Sequence, residues 1–199
     1  MRRVRTRGYT AVELLMALAV FAVGISGIIA LQKVTVVANQ HAKNLAIATQ
    51  IAQAWTSQLT VDAALWNNPS PANPADDITD TQWLLQVGTQ SGTWFQPAYV
   101  PARLFGPAFD ALGNVVDTND TSLTQQIQFC THLKLLRLYP SDTGAGLIRA
   151  EVRVFWLRDG QTDAQFCNST ASNANAIGQA ATTYHFVYQT TAITQQTLS

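Results

Sequence analysis

Charge is scarce in this chain. Asp, Glu, Lys and Arg make up 12% of its 199 residues, twelve acidic against twelve basic. Four of the basic residues, Arg2, Arg3, Arg5 and Arg7, stand ahead of Gly8, so the rest of the chain carries 12 − 4 = 8 basic residues against 12 acidic, a net of −4. That balance excludes the basic footprint of a nucleic-acid binder. Catalytic signatures are missing too. There is no G-x-S-x-G, no Walker loop, no H-E-x-x-H and no dinucleotide fingerprint. His41, His132 and His185 stand far apart and read as ordinary surface or half-buried histidines. Asp76, Asp77 and Asp80 lie near prolines without the spacing of an EF-hand loop, so they read as solvated charge. No enzymatic activity, no cofactor and no metal are expected.

Two further absences organise what is present. No charged residue interrupts Leu14 to Leu31, and no proline or glycine interrupts Lys33 to Trp66. At 1.5 Å per residue a helix from Tyr9 to Leu31 is about 35 Å long, enough for a bilayer core of about 30 Å. The arginines of MRRVRTR hold the N-terminus in the cytoplasm and send the remainder across the membrane. A secretory signal has its small-residue cleavage site after the apolar run, and no A-x-A site follows Leu31 closely. The junction glycine, Gly8, precedes the run instead. Glu13 is costly so near hydrocarbon, which marks it as functional.

Basic leader, Gly8, Tyr9, Thr10, Ala11, Val12, Glu13, Leu14 and Leu15, in that order, resemble the start of type IV pilins and pseudopilins. Their class III leader is cut on the cytoplasmic side of the apolar segment. The family more often has Phe where this chain has Tyr9. The resemblance implies cleavage by a prepilin peptidase after Gly8, N-methylation of Tyr9, and a role for Glu13 in subunit register. It divides the chain into a leader (1–8), a transmembrane and polymerisation helix (9–31) and an extracytoplasmic domain (32–199). Gly24 and Gly27 weaken the membrane helix by about 1 kcal/mol each relative to Ala. Either they let another helix approach, or they loosen the helix as the subunit leaves lipid for a filament.

Beyond Lys33 the helix continues with one apolar stripe, Val34, Ala38, His41, Leu45, Ala48, Ala52, Trp55 and Leu59. Two alanines and a histidine make a poor coiled-coil seam, so the stripe is expected to pack on a sheet of the same chain. Residues 67–80, with three prolines, form a loop. Residues 95–116 read as partly packed loops with short strands. Period-two patterning predicts strands at Gln126–Leu138, Leu147–Leu157 and Thr183–Thr190. In the second of these, Ile148, Ala150, Val152, Val154 and Trp156 share one face, and Arg149, Glu151 and Arg153 the other. Turn formers between Pro140 and Gly146 join the first two strands as an antiparallel hairpin. The expected fold is therefore α+β, a long N-terminal helix with a membrane-spanning first half, packed on a small antiparallel sheet as in type IV pilins.

Cys130 and Cys167 lie in the exported part, where a disulfide persists. Pairing is expected; two buried thiols or a metal site are the rivals, and the lack of a histidine at ligand spacing argues against the metal. Such a bond would tie the loop after the second strand to the first. VGISGIIALQ with the long ANQHAKNLAIATQIAQAW helix further resembles PilV-type minor pilins. That resemblance implies a minor pilin taking part in type IV pilus assembly and initiation, supporting adhesion and twitching motility. Its partners would be other minor and major pilins, the prepilin peptidase and the inner-membrane assembly platform. It would sit in the bacterial inner membrane, then in the periplasm and on the cell-surface pilus. A minor pseudopilin of a type II secretion system shares the same features, and a membrane-anchored binding protein that does not polymerise is a third reading.

Overall fold

A computed structural model describes residues 10–67, 78–120, 122–123, 126–139, 146–159, 161, 166–167 and 171–195. The chain divides into two compact units, Met1–Lys43 and Asn44–Ser199. One helix, α1 (Ala11–Ala63), runs through both. It forms because its 53 residues contain no proline and only two glycines, and its threonines do not compete with it. The hydroxyls of Thr35, Thr49 and Thr60 turn back to carbonyls one turn earlier. α1 ends as Ala64 N donates to Val61 O in a tightened turn, shortly before Pro69 would forbid continuation.

In the first unit every described residue, Thr10 to Lys43, is exposed. In the second, α1 buries Ile47, Ala48, Ile51, Ala52, Trp55, Leu59 and Ala63. The expected stripe is thus buried only from Ala48 onward. Val34, Ala38, His41 and Leu45 are exposed, and Ile47 and Ile51 take the places that the three–four pattern missed.

The rest of the second unit is α2 (Val87–Gln90), β1 (Trp94–Phe95), β2 (Ala108–Phe109), β3 (Val115–Val116), β4 (Phe129–Tyr139), β5 (Leu147–Leu157), α3 (Ala171–Ile177) and β6 (Tyr184–Thr194), with short 3-10 turns between. The strands form one antiparallel sheet in the order β3-β2-β4-β5-β6, with β1 also pairing with β4. The β4–β5 hairpin runs from Cys130↔Phe155 to Arg137↔Ile148 and shifts register between Arg137 and Tyr139. The β5–β6 ladder is unbroken from Leu147↔Thr194 to Leu157↔Tyr184. β5 spans the predicted residues; β6 runs on to Thr194 because Thr191 and Ile193 continue the pattern opposite Ala150 and Ile148.

The alternation in β5 does its work on one face. Ile148, Ala150, Val152, Val154 and Trp156 join the α1 residues in the main core, and Gln189 of β6 donates to Thr56 of α1 at 3.4 Å. At the centre, Trp55 meets Trp83 and Phe105 edge-on, at 5.2 and 4.8 Å between ring centroids, an arrangement favoured by the ring quadrupoles. The other face is not simply polar. Arg153 and Phe155 are buried there, and Phe155 belongs to a second cluster with Ala108, Val116, Cys130, Cys167 and Tyr184. Gly113, at φ +85 in the β2–β3 turn, adopts a backbone that favours glycine, and a Cβ there would meet Ile47 at 3.1 Å.

Candidate functional site

The N-terminal end of α1 is built by four residues. Thr10 precedes the first helical residue, Ala11, and Glu13 is the third residue inside the helix. Glu13 Oε2 accepts from Thr10 N at 3.1 Å and from the Thr10 hydroxyl at 3.2 Å, while Glu13 N donates to Thr10 Oγ1 at 3.3 Å. This is a reciprocal capping box, which satisfies amides that the first helical turn leaves without partners. The carboxylate also faces the positive end of the helix dipole. Thr10 was legible as T-x-x-E, yet sequence reasoning passed over it.

Behind the box the helix is long and apolar enough to cross a membrane. Val12, Leu14, Leu15, Met16, Val20, Phe21 and Leu31 are among its exposed side chains. A Cβ on Gly24 or Gly27 would meet nothing within 4 Å, so both glycines open onto free surface. Ser26 Oγ, between them, donates to Val23 O at 2.8 Å, which removes a polar group from that surface. Gly8 and Tyr9 lie outside the described residues. The length and composition of the helix suit a bilayer core of about 30 Å.

In the second unit, Cys130 and Cys167 form a disulfide, with Cα atoms 5.3 Å apart. It fastens the segment after β5 to β4. Both cysteines are buried, and Gln96 Nε2 donates to Cys167 O at 2.9 Å. Two further anchors were not foreseen. Asp62, fully buried near the end of α1, accepts from the backbone amides of Gln82, Trp83 and Leu84 at 2.9, 2.9 and 3.1 Å. Its other contact is Arg103 Nη2, 3.0 Å away, and that guanidinium also lies over the Trp83 ring. One carboxylate thus joins α1 to both halves of the 81–103 segment.

The second anchor is His132 with Arg153, cross-strand neighbours on β4 and β5. His132 is fully buried, a correction to its reading as a surface or half-buried side chain. Burial, reinforced by the neighbouring Arg153 charge, pushes its pKa down to about 3. The imidazole is therefore neutral, and its Nδ1 accepts from Arg153 Nη2 at 2.6 Å. Arg153 also donates to Ala174 O in α3 and covers the Trp94 ring at 4.4 Å. Alternation alone had placed Arg153 on a polar face; α3 and Trp94 close over it. His41 is exposed and His185 packs beside Trp156.

No family model, no curated protein and no solved structure matches this chain. A functional reading therefore stands on the residues and their geometry. Among the described residues, no group of three or more His, Cys, Asp or Glu is placed to hold a metal ion. Asp76 and Asp77 lie outside the described residues, and Asp80 is exposed. The described residues thus present an exposed apolar helix with one carboxylate in its first turn, and a disulfide-fastened sheet domain.

Proposed function

We propose that the chain is a minor pilin, inserted in the bacterial inner membrane as a prepilin, cut after Gly8, methylated on Tyr9, and built into a type IV pilus through α1. The observation that carries this reading is the apolar helix that is capped by Glu13, wholly exposed, and continuous with the helix that packs on the sheet. An ordinary anchor needs no carboxylate at that place. Here Thr10 offsets part of its cost in the uncut chain. Cleavage adds a cationic amine on Tyr9, and in a filament that amine would face Glu13 of a neighbouring subunit. Such a pair strengthens in a low-dielectric core and sets axial register. Partners are then other minor and major pilins, the prepilin peptidase and the assembly platform; the protein itself catalyses nothing.

The first test is the N-terminus. Mass spectrometry of the membrane-extracted protein should find a chain beginning at N-methylated Tyr9. A chain still carrying Arg2 to Arg7, from cells with an active peptidase, would refute the reading. Presence in sheared surface filaments selects the pilus over a type II secretion pseudopilus. Glu13→Gln should be inserted and cut but poorly recovered in those filaments. Normal recovery would reduce Glu13 to the capping box.

A further inference from the structure

One nitrogen of Arg153 serves two elements at once. Nη2 donates to His132 Nδ1 at 2.6 Å and also to Ala174 O in α3. A guanidinium Nη carries two N–H groups, so both bonds form together, but only if Nδ1 offers a bare lone pair. Arg153 cannot give up its own proton to relax that condition. The bridge between β4, β5 and α3 therefore exists only with a neutral imidazole.

α3 leans on this bridge. Its seven residues, ASNANAI, are too few for a helix to stand by itself. Ala174 is fully buried and Ile177 packs against the second cluster. Trp94 N donates to Asn175 Oδ1 at 3.4 Å, a long bond. The turn after α3 lies on the same guanidinium, since a Cβ on Gly178 would meet Arg153 Nη1 at 2.7 Å.

The groups around the pair leave little room for a second charge. From β6, the Tyr188 hydroxyl hydrogen-bonds to Arg153. α3 brings no ionisable side chain, and Cys130 is held in the disulfide. One row along the same face, Glu151 is taken by Lys134 and Arg149 at 3.4 and 2.7 Å. The Trp94 and Phe155 rings pack beside Arg153 and His132. A proton added to His132 would set two cations 2.6 Å apart among buried side chains, which the interior strongly disfavours.

We infer that His132 and Arg153 form an acid-released latch on α3, in which protonation of His132 drives Arg153 Nη2 off both acceptors and frees α3 from the sheet. Both charges then reach water. Release stays local, because the Cys130–Cys167 bond is covalent and β6 starts again at Tyr184.

The test is amide hydrogen exchange on the full chain in detergent, corrected for the intrinsic pH dependence of exchange. His132 changes from a pKa of about 3 in the closed latch, lowered by burial and then by Arg153, to its ordinary 6.5 once open. The open population therefore grows as pH falls below that ordinary value, by about 25-fold between pH 7 and pH 5. Gln179 N and Ala180 N, which donate to Ala176 O and Ile177 O, should lose protection by that factor. They should do so through an opening easier than that of the β4–β5 ladder and insensitive to low urea. His132→Gln, neutral at both pH values, should show no such loss. Unchanged protection in the wild type, the same loss in His132→Gln, or α3 and ladder amides opening together would overturn the latch. The nitrogen resonances of the wild-type imidazole give a reading that needs no variant. Nδ1 should carry no proton at pH 7, and a protonated Nδ1 there would overturn the latch as well.

Discussion

The two units of this molecule satisfy the hydrophobic effect in opposite ways. From Thr10 to Lys43 no described residue is buried; from Asn44 onward Trp55, Trp66, Trp83 and Trp156 all lie inside. The first unit leaves its apolar side chains exposed, and the second buries them within its own chain. Backbone preference does not separate them, since one helix passes through both. What separates them is whether the sequence supplies an opposing surface. Exposure in the first unit leaves its apolar side chains unburied, whereas burial in the second is a completed contact.

Substitutions that shrink an apolar side chain should break the comparison most sharply. Trp55→Ala, in the ring cluster with Trp83 and Phe105, should destabilise the second unit by about 3–5 kcal/mol. Phe21→Ala, 64% exposed, should leave that transition within about 0.5 kcal/mol in detergent. Equal effects in chemical denaturation would mean that the units are not independent. Next in size is the disulfide. Cys167→Ser should lower stability by about 4 kcal/mol on the chain-entropy account, and the wild-type midpoint should fall on reduction while the Ser variant's stays put.

Asp62 sharpens the contrast between buried and exposed carboxylates. Asp62→Ala strands three amides and the Arg103 guanidinium and should cost about 3 kcal/mol. Glu13→Gln at the exposed capping box should leave the unfolding of the second unit unchanged. The smallest effect concerns pH. His132 has its pKa depressed to about 3 by burial and then by Arg153, from an ordinary 6.5. Its neutral form is the one that folds, so its contribution is complete above about pH 6.5 and is lost as pH falls towards about 3. Between pH 7 and pH 5 the wild type should lose about 2 kcal/mol more than His132→Gln. Parallel stability–pH curves for the two would show that this imidazole is not held neutral.

The sequence by itself determined the elements whose cause is local. A run without proline and with only two glycines makes α1; period two makes β4, β5 and β6; T-x-x-E makes the cap. The β5 limits follow from turn formers on one side and polar residues on the other. Cys130 and Cys167 could be matched because only two cysteines are present. Tertiary structure alone decided which stretch of α1 is buried, because the apolar stripe continues through Val34 and Leu45 while burial begins at Ile47. It likewise turned Asp62, His132 and Arg153 from polar residues into interior anchors. Their partners, the amides of 82–84, Arg103, Ala174 O and Trp94, lie many positions away along the chain. The solvation of a polar side chain depends on what is folded over it, and periodicity records only which way the side chain points.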